Sequence, residues 1–280
     1  MKNLIYKNYI QKKYLKKNKK NKLNILYKKI VYDVIKGLNN NLKNTFHVLS
    51  DRFKLNFDLK DLKQFNKYKS VAVIGMGGSI LGAEAIYNFL GKKIKKKFYF
   101  FNDINNKKIS HFKKKINLNK TLIIVISKSG NTIETLSNFL YLNIIKKNSK
   151  NVILVSEKND NIIYSLSKKF NLFHIQHRSY IGGRYSVLSE AGIVPAYLMN
   201  LNINRLRKNL KKFLIGAEKV FLKDSSLKLA NILLNKNIKN LVFLNYAPEL
   251  EKFLYWVQQL IAESLGKKNK GFLPIISSAP

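Results

Sequence analysis

The sequence predicts an α/β fold: a parallel, doubly wound sheet followed by an incomplete second α/β lobe. Three observations carry this. From residue 70 onward, short apolar runs rich in Val, Ile and Phe alternate with amphipathic stretches of helical period, the pattern of successive βαβ units with right-handed crossovers. One run, residues 121–126, is apolar enough for a strand buried on both faces. Loops rich in Gly, Ser and Thr stand where strands end and helices begin, and parallel sheets bind their ligands outside those strand ends.

The elements follow in order. Residues 1–30 are dense in Lys, Asn and Tyr. Leu23, Leu26, Tyr27, Ile30, Val31, Val34, Ile35 and Leu38 recur at helical spacing, predicting a long amphipathic helix with a solvated positive face. No apolar core followed by a small-residue cleavage site marks a secretory signal there. Strands are expected at 70–75, 97–102, 121–126, 151–156 and 172–176, with helices near 79–91, 105–115, 131–147 and 160–169. After Gly192 helical periodicity covers 194–200, 205–221 and 225–236. A strand at 240–245 then leads into a helix over 248–266, with too little sequence left to complete a sheet like the first. The expected division is 1–60 as an N-terminal helical segment, 61–195 as a first ligand-binding α/β domain, and 196–280 as connecting helices and the start of a second.

Composition narrows the function. With no cysteine among 280 residues, disulfides, thiol catalysis and cysteine-built zinc sites are excluded. No apolar run approaches the roughly 20 residues of a membrane span, so a soluble, cytoplasmic protein is expected. The balance of 53 Lys plus Arg against 15 Asp plus Glu gives a net charge of +38, a field that attracts polyanions. The excess is mostly Lys, is scattered, and travels with Asn and Ile, whose codons are AT-rich. A biased genome accounts for that better than a nucleic-acid footprint, which clusters on one element with Arg and aromatics interleaved. A nucleic-acid partner is not expected.

Four segments can carry chemistry. Ser127-Lys128-Ser129-Gly130-Asn131-Thr132 follows a strand and opens a helix, and its hydroxyls, its Lys and the helix amides suit a phosphate. The same residues also suit a helix cap, with Ser129 or Asn131 capping and Glu134 completing a capping box. Gly75-Met76-Gly77-Gly78-Ser79 is a second strand-to-helix loop. Ile80 stands where a dinucleotide fingerprint needs its third glycine, which leaves a close approach to a polar ligand or a plain tight turn. Gly182-Gly183-Arg184-Tyr185-Ser186 presents either a guanidinium fork for an oxyanion or a surface arginine. Gln259, Glu263 and Lys267 share one face of the last long helix, as a functional set or as an exposed Glu–Lys pair.

In this order the four segments resemble the phosphoglucose isomerase family. Gly75 to Ser79 looks like its first glycine loop, Ser127 to Thr135 its sugar-phosphate cradle, Gly182 to Ser186 with Ser189 and Gly192 its signature segment, and Gln259 to Lys267 the helix bearing its catalytic glutamate. The resemblance runs from about residue 70 to the C-terminus. It implies a sugar-isomerase (SIS) type domain and an aldose–ketose isomerase interconverting glucose 6-phosphate and fructose 6-phosphate through a cis-enediol, with neither metal nor other cofactor, acting as a homodimer. Carried over residue by residue, Ser127, Lys128, Ser129 and Thr132 hold the phosphate. Glu263 moves the proton between C2 and C1, Arg184 stabilises the enediolate, and Gln259, Gly78 and Ser79 position the sugar. A carboxylate beside the reacting carbon and a cation beside the developing oxyanion are what such a proton transfer needs.

The pattern departs in two places. Glu190, on an expected loop, replaces a small residue or proline of the signature. The family's ring-opening histidine, which comes from the neighbouring subunit, and its C-terminal lysine lie beyond the segment matching 272–280, and His47, His111, His174 and His177 match neither, so a C-terminally truncated sequence is expected. Rival readings are a related isomerase acting on mannose or amino-sugar phosphates, and a non-catalytic sugar-phosphate-binding protein.

Overall fold

The computed structural model describes residues 9–10, 20–216, 218–234, 238–267 and 271–278. Helix α1 (Lys20–Asn39) precedes a sheet of five parallel strands: β1 (Ser70–Gly75), β2 (Lys97–Phe101), β3 (Thr121–Ile126), β4 (Val152–Ser156) and β5 (Phe173–Gln176). Their order is β2-β1-β3-β4-β5, the doubly wound arrangement in which the chain reverses direction between β1 and β3. Successive residues of each strand supply opposite faces. Val71, Val73, Leu122, Ile124, Ile153 and Val155 pack with α2 (Leu81–Leu90), with α6 (Glu190–Leu198) and with Leu62 and Phe65 of the 3-10 turn Leu59–Phe65. On the other face Ala72, Ile74, Ile123, Val125, Val152 and Leu154 meet α3 (Asn106–Lys115), α4 (Ile133–Tyr141) and α5 (Ile162–Lys169). Both faces are thus covered, which is why β3 is buried at all six positions.

Short helices α7 (Ile203–Arg207) and α8 (Lys212–Ile215) lead to α9 (Lys219–Leu233), which packs against α1. Beyond lies a second βαβ unit: β6 (Asn240–Asn245), α10 (Glu251–Leu265) and β7 (Leu273–Ser278), with β6 and β7 parallel. Helix α10 packs on β7 and also on α2 of the first sheet, joining the two units. The opposite face of the small sheet leaves Val242, Leu244, Leu273 and Ile275 exposed.

Several expectations change. The helix expected over 131–147 ends at Tyr141, because Asn143 takes a left-handed conformation at φ +50° and stops the ladder. The helices expected at 205–221 and 225–236 are replaced by α7, α8 and α9. Asn209 at φ +62° interrupts the first of them, and residues 217 and 235–237 lie outside the described residues. Most of the lysine-rich stretch over 1–19 lies outside them too. Strand β7 was not expected from the sequence; its Leu-Pro-Ile-Ile run is short, and only pairing with β6 makes it a strand. Glu190 stands not on a loop but in the first turn of α6, fully buried.

Two histidines at the β5 end of the sheet are held neutral. Burial lowers His174, whose Nε2 lies 2.9 Å from the Ser156 hydroxyl, to a pKa of about 4, and burial likewise brings His177 to about 4. Folded values below the ordinary 6.5 mean that these groups stabilise the fold fully above pH 6.5 and less as pH falls towards 4. Urea titrations between pH 6.5 and 4 should therefore show stability falling with pH, by up to about 1.4 kcal/mol per pH unit for His177 and by less for His174, which solvent screens more. That slope should shrink in His174→Asn and His177→Gln; equal slopes in wild type and variants would contradict the assignment.

Candidate active site

The site forms where the ends of β1 and β3 lie side by side, with Gly75 in register with Ile126. After β1 the chain makes the 3-10 turn Gly77–Ser79, and α2 starts only at Leu81, so Ser79 lies in the turn and not at the helix start. This turn presses on a second 3-10 turn, Gly183–Leu188, so closely that a Cβ at Gly78 would overlap the backbone of Gly183 and Arg184.

Arg184 is held there by its own backbone and then reaches α10. Its carbonyl accepts a hydrogen bond from the Trp256 indole at 2.9 Å. Its guanidinium donates through Nε to Ser264 Oγ (3.1 Å) and through Nη1 to Glu263 Oε2 (2.9 Å), and lies over the Tyr185 ring. Burial opposes the charge on Arg184, but hydrogen bonds to Tyr185 and Glu263 outweigh it and raise its pKa. For the Tyr185 hydroxyl, burial acts to raise the pKa, while hydrogen bonds to Ser264, at 2.8 Å, and Arg184 outweigh it and lower it. Gln259, one helical turn before Glu263, donates to Glu263 Oε1 at 2.7 Å. Both carboxylate oxygens of Glu263 are therefore engaged, while its side chain stays 47% exposed. Glu263 pairs with Arg184 and not with Lys267, which lies beyond the end of α10. A cavity of about 600 Å³, lined by Gly77, Asn102, Lys252, Tyr255, Gln259 and Glu263, opens beside the carboxylate.

The loop after β3 is a compact hydroxyl cluster. Thr132 Oγ1 lies 2.9 Å from Ser127 Oγ and 3.5 Å from Ser129 Oγ, and Ser127 Oγ accepts from the Gly130 amide at 3.1 Å. Gly130 has φ +69°, and any side chain there would collide with Asn161, whose side chain caps α5. Thr132 is the N-cap of α4, yet its side chain makes no capping bond; it is spent on the two serines. No capping box forms with Glu134, and the Asn131 carboxamide accepts from Ile162 of α5 instead. The N-terminus of α4 is thus left without a side-chain cap beside three hydroxyls, an arrangement that suits an anion. Lys128 points elsewhere: its ammonium donates to the Ser179 carbonyl at 2.6 Å and lies 3.6 Å from Glu157.

The structure therefore brings Gly78, Arg184, Gln259 and Glu263 into one cluster, with Ser79 in the adjoining turn, and gathers Ser127, Ser129 and Thr132 in a loop beside it. It directs Lys128 away from the hydroxyls. Sequence reasoning missed Trp256 and Ser264, which lock Arg184 to α10; both share the helix of Gln259 and Glu263, the signal that could have found them. Among the described residues no group of three His, Asp or Glu side chains comes together as metal ligands.

The fold is that of phosphosugar isomerases. It superposes on a hypothetical protein of Thermus thermophilus with a TM-score of 0.71 (21% identity; 94% of this chain and 68% of the other). A glucose-6-phosphate isomerase from Chlamydia trachomatis superposes with a TM-score of 0.60 (22% identity; 79% and 48%). Residues 40–272 match the family model described as phosphoglucose isomerase, and the chain belongs to that family. It is 34% identical to the glucose-6-phosphate isomerase of Methanocaldococcus jannaschii over 228 residues (79% of this chain, 56% of the relative), and 31% identical to that of Acholeplasma laidlawii over 243 (78% and 57%). The chain spans little more than half the length of these relatives.

The contact between Gly78 and Arg184 sets the cluster's geometry and can be tested. Gly78→Ala should cost about 1–3 kcal/mol in urea denaturation, through overpacking against backbone that cannot yield. Gly91→Ala, with nothing within 4 Å of the added carbon, should leave stability unchanged or raise it by up to about 1 kcal/mol.

Proposed function

We propose that this chain carries an aldose–ketose isomerase site that interconverts glucose 6-phosphate and fructose 6-phosphate through a cis-enediol. The observation that carries the reading is the chain Gln259–Glu263–Arg184: an exposed carboxylate held between an amide and a guanidinium. In the reaction Glu263 takes the proton from C2 of the open-chain aldose; the pair left behind forms the C1–C2 double bond and the carbonyl pair moves onto O1, where Arg184 faces the developing charge. Glu263 then returns the proton to C1 as the C2 hydroxyl gives its proton to O1 and becomes the ketose carbonyl. Gln259 keeps the carboxylate in place, and the Gly77–Ser79 turn lets the sugar approach the backbone. Ser127, Ser129, Thr132 and the α4 amides hold the phosphate, while Lys128 adds long-range charge from its place beside Glu157.

The four histidines lie outside this cluster. His47 bonds Tyr180 and Asn41, His174 faces Ser156, His177 is buried against Arg178, and His111 is on α3. In this proposal the group that opens the sugar ring comes from outside the described residues. A homodimer and a cytoplasmic setting belong to the same proposal; they are supported by the family pattern, and analytical ultracentrifugation reads the first. Among the described residues no helix is long and apolar enough to cross a membrane.

Two measurements test the roles. In calorimetry with 6-phosphogluconate, Ser127→Ala combined with Thr132→Val should weaken binding by about 1–3 kcal/mol, the loss of hydroxyl donors to a charged group. Unchanged affinity would remove the cradle from the proposal. Glu263→Gln should keep that affinity but lose deuterium exchange at C2 of the open-chain sugar phosphate, since an amide cannot accept the proton. Exchange at the wild-type rate would take Glu263 out of the base role.

A further inference from the structure

Glu190 is unexplained by the chemistry above, yet it is 0% exposed and begins α6 directly after the turn that carries Arg184. Its Oε1 accepts from the Asn56 amide at 3.1 Å and from Arg178 Nε at 3.3 Å, while Oε2 has no hydrogen-bond partner among the described residues. Arg178 goes further, donating to Tyr180 Oη at 3.1 Å and to the Lys54 carbonyl, with its guanidinium over the Phe53 ring. A second guanidinium, Arg207, also lies over Phe53 and donates to the carbonyls of Leu188 and Val48. A buried ion pair with an unsatisfied oxygen contributes little net stability over an apolar pair of the same size. What this one does geometrically is close a loop: residues 178 and 190 bracket the excursion that holds Gly183–Leu188, Arg184 among them.

We propose that Glu190, acting through Arg178, is a positioning residue that clasps the 178–190 loop from behind and sets the Arg184 backbone against Gly78 and α10. Arg207 fastens the far end of the same turn through Leu188. The catalytic consequence rests on the role given to Arg184 above; the placement of the turn does not.

The chain has a single tryptophan, and its indole donates to the Arg184 carbonyl, so Trp256 reports that placement without any ligand. Hydrogen exchange of the Trp256 indole N–H, followed by NMR under native conditions, should accelerate about tenfold or more in Glu190→Ala as that bond is lost. Arg178→Lys, which keeps the charge but cannot bridge Glu190, Tyr180 and Lys54 together, should do the same and serves should Glu190→Ala not fold. Phe139→Ala, which opens a cavity on the far face of the sheet, lowers stability without touching the clasp and should leave native-state indole exchange near the wild-type rate. Exchange in the clasp variants equal to that in wild type, or raised no more than in Phe139→Ala, would overturn the proposal. C2 deuterium exchange, measured alongside, should fall in the clasp variants while 6-phosphogluconate affinity is kept. Its absence in the wild type with the open-chain sugar phosphate would count against the isomerase reading, and the indole result would still decide the clasp.

Discussion

The whole site depends on two stretches of backbone meeting with no side chain between them. The turn after β1 and the turn carrying Arg184 touch at Gly78, where a Cβ would occupy the space of the Arg184 backbone. That approach fixes where the Arg184 carbonyl and guanidinium begin. From there α10 comes within reach, and three of its side chains, Trp256, Glu263 and Ser264, complete the contact. A single methyl group at position 78 would push against main chain, which cannot rotate away as a side chain can.

The carboxylate of Glu263 and the arginine that pairs with it belong to different parts of the fold. Arg184 hangs from the five-stranded sheet, whereas Glu263 rides on the crossover helix of the β6–α10–β7 unit. Packing of α10 on α2 brings them within 2.9 Å. The carboxylate is held by a guanidinium and an amide, so in the proposed reaction its orientation costs no reordering. In the proposed reaction an entering oxygen shares Arg184 with Glu263.

The scarce acids are placed where they matter. Against 53 cationic residues the chain has 15 carboxylates. Four of them restrain cations around the site: Glu157 beside Lys128, Glu84 near Lys252, Glu190 on Arg178 and Glu263 on Arg184. Among the described residues most other lysines lie on solvated surfaces, where individual charges are screened, with Lys96, whose Nζ is buried, an exception.

The sequence by itself determined the five strands of the first sheet to within a residue, because a strand buried on both faces must be a short apolar run and nothing nearby competes with it. It also marked the strand-end loops, though hydroxyls and glycines there fit a helix cap or a tight turn as well as a ligand. It misplaced helix ends where an asparagine turned left-handed, as at Asn143, because Asn is tolerated inside a helix and only the φ it adopts ends one. Strand β7 was invisible because its partner β6 lies far back along the chain, and pairing, not local pattern, makes it a strand. Which of the candidate side chains meet was decided by tertiary structure alone. Gln259 and Glu263 share a face by helical spacing, but Lys267, which the same spacing joins to them, falls past the helix end, and Arg184 arrives from 79 residues away. Lys128 was drawn to Glu157 and the Ser179 carbonyl, and Glu190 was buried on Arg178, because a charge goes to the nearest opposite charge or carbonyl in space, and only folding puts those neighbours in place.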